Sequence, residues 1–268
     1  MHIGEKVFVV TGAGSGMGQE LTVALLERGA RVAAVDLRPA GLDETRAKVG
    51  ANADFLSTHT ADISDRRAID ALRAEVLARH GHVDGLINNA GIIQPFKKLM
   101  QLDDDVIERV MNVNFYGTVF MTRAFLPHLL DRPEAHVVNI SSMGGFLPVP
   151  GQALYCASKA AVKLFTEALY AELLETNVRV TTVFPGAIAT HITENSGVEA
   201  PKSAPGDTTM KALPAREAAL AILRGVEKDE LHVLVGSDAY IMDKLARLMP
   251  ERAVKMIQQR MKSLLPAD

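Results

Sequence analysis

The sequence predicts an α/β fold: a doubly wound parallel sheet in three layers, with helices on both faces. Three observations carry that expectation. Short β-branched runs alternate with longer segments of helical periodicity along most of the chain. The short runs are apolar nearly throughout, as in Val7-Phe8-Val9-Val10, which marks strands buried on both faces. A glycine-rich turn, Thr11-Gly12-Ala13-Gly14-Ser15-Gly16-Met17-Gly18, joins the first strand to the first helix.

In order, Lys6 to Thr11 reads as a strand and Gly16 to Arg28 as a helix with Leu21, Leu25 and Leu26 on one face. A strand over Arg31 to Asp36 precedes a helix over Gly41 to Val49, and a strand over Asp54 to Thr60 precedes a helix over Asp65 to Arg79. Asp84 to Asn88 is a strand. Asp103, Asp104 and Asp105 suit a helix start, where carboxylates meet the positive end of the dipole, and that helix runs unbroken to about Leu130. Ala135 to Ser141 is a strand, Gln152 to Glu175 a long helix, Val178 to Phe184 a strand, Pro214 to Val226 a helix and Leu231 to Val235 a last strand. Right-handed crossovers then place helices on both sides of one sheet.

The 268 residues read as one domain with two appendages. Residues 187–213 hold several Gly and Pro and little periodicity, as in a lid. Residues 238–265 form a helical extension, whose last part has Val254, Ile257, Met261 and Leu264 on one stripe, expected to pack on protein rather than on a membrane surface. With 48% hydrophobic and 23% charged residues the chain is neither disordered nor fibrous, and its single cysteine, Cys156, excludes a disulfide scaffold. The net charge of −3 and scattered Lys and Arg argue against a nucleic-acid partner. No apolar run is long enough to span a membrane and no leader is visible, so a cytoplasmic protein is expected. None of the eight histidines falls in a metal-ligand pattern, so no metal site is expected.

The glycine turn allows a backbone to bend tightly and approach a pyrophosphate at a helix N-terminus. It is neither a Walker loop nor GxGxxG, because Met17 stands where the latter has its third glycine. Asp36, at the end of the second strand, can accept hydrogen bonds from the adenine ribose and would repel a 2′-phosphate, which favours NAD over NADP. Arg38 is the one nearby cation that could favour NADP. Further along, Tyr155 and Lys159 are four residues apart on a helix and project the same way. A phenol is a poor base at neutral pH, and a neighbouring cation lowers its pKa, so the pair is a candidate acid/base device.

Together with Asp62, Asn88-Asn89-Ala90-Gly91, Asn114, Asn139-Ile140-Ser141-Ser142 and Pro185-Gly186 with Thr190, these motifs resemble the short-chain dehydrogenase/reductase family, in its short single-domain branch. The resemblance implies a Rossmann-type fold, a nicotinamide cofactor and hydride exchange at an alcohol or carbonyl carbon. It implies Tyr155 as general acid/base, Lys159 on the nicotinamide ribose and lowering the Tyr155 pKa, Ser142 on the substrate oxygen, and Asn114 positioning Lys159 through a water. It further implies a cofactor cradle of Gly12, Ser15, Gly16, Met17, Gly18 and Asp36. Asp62 and Ile63 contact adenine in that picture, Asn89, Ala90 and Gly91 line the adenosine side, and Pro185, Gly186, Ile188 and Thr190 lie against the nicotinamide.

The segments expected around the substrate are mostly apolar: Ile92, Ile93, Pro95 and Phe96, then Met143 to Pro150, then Ala187, Ile188 and Ile192. An apolar alcohol or ketone is the expected substrate, and a homo-oligomer the expected assembly. His191 is expected to be a surface residue of the lid rather than a substrate contact, and Cys156 a small buried residue. Two other classes compete: an NAD-dependent epimerase or dehydratase, and a non-catalytic NAD-binding sensor. The first lacks here the separate C-terminal domain such proteins carry, and the second would be expected to lack a catalytic residue.

Overall fold

The structure, a computed structural model, describes residues 1–198 and 212–261. Seven parallel strands form the central sheet: β1 (Val7–Thr11), β2 (Arg31–Asp36), β3 (Leu56–Thr60), β4 (Gly85–Asn88), β5 (Ala135–Ile140), β6 (Val178–Pro185) and, near the end of the chain, β9 (His232–Val235). Their order across the sheet is β3-β2-β1-β4-β5-β6-β9, so the winding reverses between β1 and β4. The helices between them are α1 (Gly16–Glu27), α2 (Pro39–Val49), α3 (Arg66–His80), α4 (Asp104–Met111), α5 (Thr118–Leu130) and α6 (Ala153–Leu173). Two short strands, β7 (Ile188–Ala189) and β8 (Leu213–Pro214), pair with each other and flank a one-turn helix, α7 (Ile192–Asn195). Helix α8 (Ala215–Glu227) leads into β9, and α9 (Ser237–Leu248) and α10 (Pro250–Met261) follow it.

Strand periodicity divides the core. Phe8 and Val10 of β1 and Val32 and Ala34 of β2 face one side, packed on α1, α2 and α8 through Leu21, Leu25, Leu42 and Ile222. Val7, Val9, Ala33 and Val35 face the other, on α3, α5 and α6 through Ile69, Val76, Phe125 and Leu169. That is why β1 and β2 carry no polar face: both faces of the pleat are covered. Local signals fix the ends of some helices. The Asp65 carboxylate accepts from Arg67 N at the start of α3, and Gly81 stops that helix with φ 79°, a conformation that favours glycine.

Three expectations are corrected: the unbroken helix over 103–130, the start of the third strand and the apolar stripe near the C-terminus. Residues 103–130 are not one unbroken helix. A turn of π-helix, Asn112–Gly117, lies between α4 and α5, with Asn114 buried inside it. Such wide turns collect at functional sites, and apolar periodicity does not reveal them. The third strand starts at Leu56, because Gly50–Phe55 form a 3₁₀ turn. The proposed lid is not without regular structure: β7, α7 and β8 occupy part of it, and residues 199–211 lie outside the described residues. The C-terminal extension is two helices that meet at Met249-Pro250, where proline fits the first turn of a helix but not its interior. On α10 the buried residues are Ala253 and Ile257, while Val254 is exposed. Leu264 lies outside the described residues. Ala253, Ile257 and Met242 pack on Leu147, so the extension covers the turn that follows β5.

At the edge of the sheet runs a buried polar chain. His59 Nδ1 lies 3.1 Å from Glu75, Ser57 Oγ is 2.8 Å from His59 Nε2, and His80 Nε2 is 2.7 Å from the same hydroxyl. With both rings neutral the chain runs one way: His59 donates to Glu75, Ser57 donates to His59, and His80 donates to Ser57. Burial, with Arg79 and His59 nearby, pushes the His80 imidazole down to about 4, and burial pushes the enclosed His136 down to about 3. The unfolded chain protonates these rings near 6.5, so below that pH it binds more protons than the folded chain. Stability is therefore full above about pH 6.5 and falls as pH drops toward 4. His80 accounts for about 3 kcal/mol of that fall at about 1.4 kcal/mol per unit. Urea unfolding at pH 7 and pH 4.5 should show a smaller loss in His80→Asn than in the wild type; an equal loss would remove His80 as its source.

Candidate active site

A cavity of about 440 Å³ opens where the strand order reverses, at the C-terminal ends of β1 and β4. Ligands of open α/β sheets bind in that crevice. Its floor is a contact between two loops. Thr11 Oγ1 accepts from both Asn89 N and Ala90 N at 3.0 Å, and Asn89 Nδ2 donates to Thr11 O and Gly12 O at 3.0 and 3.3 Å. The approach leaves no room for side chains. A Cβ on Gly12, which has φ 66°, would sit 2.9 Å from Ala90 Cα, and one on Gly18 would sit 2.0 Å from Gly12 O.

The start of α1 faces the cavity through Ser15, Gly16 and Met17. Its N-terminus has no side-chain cap and no acid in its first turn. Free backbone N–H groups and the positive dipole end suit a pyrophosphate. This observation, with the glycine approach, fits the residues to a dinucleotide.

Asp36 ends β2 at the cavity and is buried. Its Oδ2 accepts from Gly14 N and its Oδ1 from Arg38 N, both at 2.9 Å. The glycine at position 14 is needed here, because a Cβ would meet that carboxylate at 2.9 Å. Arg38 is half exposed and reaches across the opening, donating to Ser15 Oγ at 3.3 Å and to Asn195 Oδ1 of α7 at 2.5 Å. Asn195 Nδ2 donates to Ser15 Oγ at 2.8 Å. Ser15 thus turns its hydroxyl to α7 rather than to the helix it precedes.

Ser142, Tyr155 and Lys159 share one wall. Tyr155 and Ser142 are joined by a side-chain hydrogen bond, and burial pushes the phenol up to about 12, against the lowering effect of that bond. Burial pushes the Lys159 ammonium down to about 8. Burial disfavours the charged form of each partner. Lys159 Nζ donates to Ile140 O at 2.9 Å. Ser141 and Ser142 both border the cavity, but the Ser141 hydroxyl is committed, donating to Lys159 O at 2.7 Å. Cys156 is buried, its thiol pushed up by burial.

Asn114 and Gly18 do not line the cavity. Asn114 is fully buried. Its Oδ1 accepts from Ile92 N at 2.8 Å and its Nδ2 donates to Ile92 O at 2.9 Å and Ser158 Oγ at 3.0 Å. Asn114 and Lys159 flank the same glycine: a Cβ on Gly91 would lie 3.3 Å from Asn114 Oδ1 and 3.1 Å from Lys159 Nζ. Gly12, Asp62, Ile63, Asn89, Ala90 and Gly91 line the cavity, as do Pro185, Gly186, Ile188 and Thr190. Ile92, Ile93, Ala187 and Ile192 supply apolar wall, but Met143, Phe146 and Leu147 pack on α9 and α10 instead. His191 is exposed yet borders the opening, paired with Glu194 at 2.9 Å. The sequence reading missed Val113 and the lid residue Asn195 as cavity residues. The π turn that places Val113 has no sequence signal, and Asn195 lies in a segment whose composition reads only as loop. Among the described residues no cluster could hold a metal and no helix is long and apolar enough to cross a membrane.

This fold and this site define a nicotinamide-binding oxidoreductase. The chain belongs to the short-chain dehydrogenase family, whose sequence model matches residues 6–200. SadH of Mycobacterium tuberculosis, whose name calls it an oxidoreductase, is 37% identical, with the match covering 97% of each chain. A short-chain dehydrogenase/reductase of Burkholderia phymatum in complex with NAD superposes with a TM-score of 0.85 at 25% identity, over 94% of this chain and 96% of that one. A short-chain dehydrogenase of Burkholderia cenocepacia in complex with NADP gives 0.80 at 28%, over 96% and 99%.

The closest approach in the floor is the sharpest test of its geometry. Gly18→Ala must displace the Gly12 carbonyl, so it should cost about 1–3 kcal/mol of stability in denaturant titration and weaken NADH binding. Unchanged values for both would contradict this packing.

Proposed function

We propose that the protein transfers a hydride between NAD(H) and a largely apolar alcohol or ketone, with Tyr155 as general acid/base. The observation that carries the reading is the placement of Tyr155, Ser142 and Lys159 on one wall of a cavity whose far end is the uncapped N-terminus of α1. NAD supplies the hydride acceptor. In alcohol oxidation the Tyr155 phenolate would take the hydroxyl proton while Ser142 holds the same oxygen by a hydrogen bond, and the hydrogen on the carbinol carbon, with its bonding electron pair, would pass to the nicotinamide as the carbonyl forms. Ketone reduction runs the steps backward. Lys159 stabilises the phenolate by charge and binds the nicotinamide ribose. Asn114 acts by holding Ile92 and so Gly91 against Lys159. Pro185, Gly186, Ile188 and Thr190 hold the nicotinamide end, and Asp62 and Ile63 the adenine end.

The substrate class follows from Ile92, Ile93, Val113 and Ile192 on the wall. The segment from Ala187 closes over them as a lid, tied to Ser15 and Arg38 by Asn195. Two copies would pair through α5 and α6, with Leu164 exposed on α6 and Tyr116 just before α5. NAD is preferred because the Asp36 carboxylate faces the ribose site. Arg38 favours the second reading, NADP, because its guanidinium reaches Ser15 beside that site.

Tyr155→Phe should cut turnover by about 10²–10⁴-fold while NADH still binds. The assay follows NADH absorbance over cyclic and open-chain alcohols and ketones of graded size, and wild-type turnover in the variant would end the proposal. For the cofactor, kcat/KM should be higher with NAD than with NADP, and Asp36→Ala should narrow the ratio by about tenfold or more, the scale of one lost charge repulsion. A wild-type preference for NADP would transfer the decisive role to Arg38.

A further inference from the structure

Helix α6 carries Tyr155 in its first turn, yet it has no cap of its own. Gln152, the residue before the helix, makes no side-chain bond to it. The N–H groups of a first turn have no partner within the helix and need one from outside. Here the acceptor comes from the loop after β4. Gln94 Oε1 accepts from Leu154 N at 2.8 Å and from Tyr155 N at 3.3 Å. Gln94 Nε2 donates to Gly151 O at 2.9 Å, and Gln152 Nε2 donates back to Gln94 O at 2.7 Å. The Gln94 side chain is fully buried, so water does not substitute for these bonds.

We infer that Gln94 is a positioning residue for the proposed reaction: a cap supplied from another element that fixes the first turn of α6 and with it the reach of Tyr155 toward Ser142. The inference rests on Tyr155 being the acid/base. Residue type is part of the argument. A helix start favours a carboxylate, and Asp and Ser are common caps. A carboxylate here would stand one turn from a phenol that must ionise, and like charge disfavours ionisation. A neutral amide accepts the two N–H groups without that charge, and its N–H₂ also satisfies the Gly151 carbonyl, which a hydroxyl cannot reach while serving both. The neighbours of Gln94 extend the device. Ile92 is held on both sides by Asn114, and Ile93 N donates at 2.9 Å to Ser196 Oγ, just beyond α7. Arg109 of α4 donates to Ser196 O at 2.7 Å. Three consecutive residues therefore set the π turn, the lid and the catalytic helix in one register.

Two variants test this in the full chain. Gln94→Leu keeps the volume and removes every polar bond of the side chain. It should lower kcat by about tenfold or more, leave the NADH dissociation constant within about twofold, and speed amide exchange in residues 152–158 by about tenfold, while exchange in β1 and β5 stays as in the wild type. Gln94→Glu keeps the acceptor and adds a charge. It should restore slow exchange in 152–158 and raise the pH midpoint of kcat/KM for alcohol oxidation by about one unit. A role in stability alone would leave that midpoint where it is. Wild-type kcat and wild-type exchange in Gln94→Leu would overturn the inference, and so would a wild-type midpoint in Gln94→Glu. If Gln94→Leu does not fold, Gln94→Glu decides alone. Tyr155→Phe, assayed beside them, separates the two readings. Retained turnover there refutes the acid/base role of Tyr155, whereas the exchange data judge the cap regardless of chemistry.

Discussion

Two backbone N–H groups on one threonine hydroxyl hold the working face of this protein together. Thr11 accepts from Asn89 and Ala90, and Asn89 returns its amide to the Thr11 and Gly12 carbonyls. The bonds join the loop after β1 to the loop after β4, the two strands between which the winding reverses. Once these loops are in contact, α1 must leave β1 with its N-terminus over the crevice, and Gly91 must lie against Lys159. The glycines are the steric condition for this contact. Between Gly12, Gly18 and Asn89 there is no space for one more carbon.

Burial acts on the site in opposite senses. Partial enclosure strengthens charge attraction between Tyr155 and Lys159, and it also makes each of them resist its charged form. The pocket without a counter-charge therefore favours phenol and a weakened ammonium. A phenolate forms there when other groups offset desolvation: the Ser142 hydrogen bond already does so in part. In this setting every neighbouring charge matters, which gives physical sense to a neutral amide at the start of α6.

The short helix beside the cavity is attached by side-chain bonds, whereas α1 and α6 are anchored in the core. The C-terminal end of α7 is tied to Ser15 and Arg38 through Asn195 and to Ile93 and Arg109 through Ser196. The pair α9 and α10 is held differently, by a small cluster of its own around Leu147, Met242, Ala253 and Ile257. That cluster packs on the turn after Ser142, so the extension bears on the wall that carries Ser142 without lining the cavity.

The sequence by itself determined what is periodic or local. Apolar runs gave the strands, the glycine turn gave the β1–α1 junction, and the four-residue spacing put Tyr155 and Lys159 on one helix face. Asp36 was legible because strand ends and glycine loops have a fixed geometric relation. The tertiary structure alone decided what depends on partners far apart in the chain. The π turn at Asn114 has no signature in apolar spacing, and its side chain is defined by Ile92 and Ser158. Gln94 meets the first turn of α6 across some sixty residues of sequence. The Tyr155 pKa rises because of enclosure, which spacing to Lys159 does not report. The stripe of α10 was read one residue off at Val254 for the same reason. Which face of a helix is buried depends on what it meets, here Leu147 and Met242, and the sequence of the helix does not contain them.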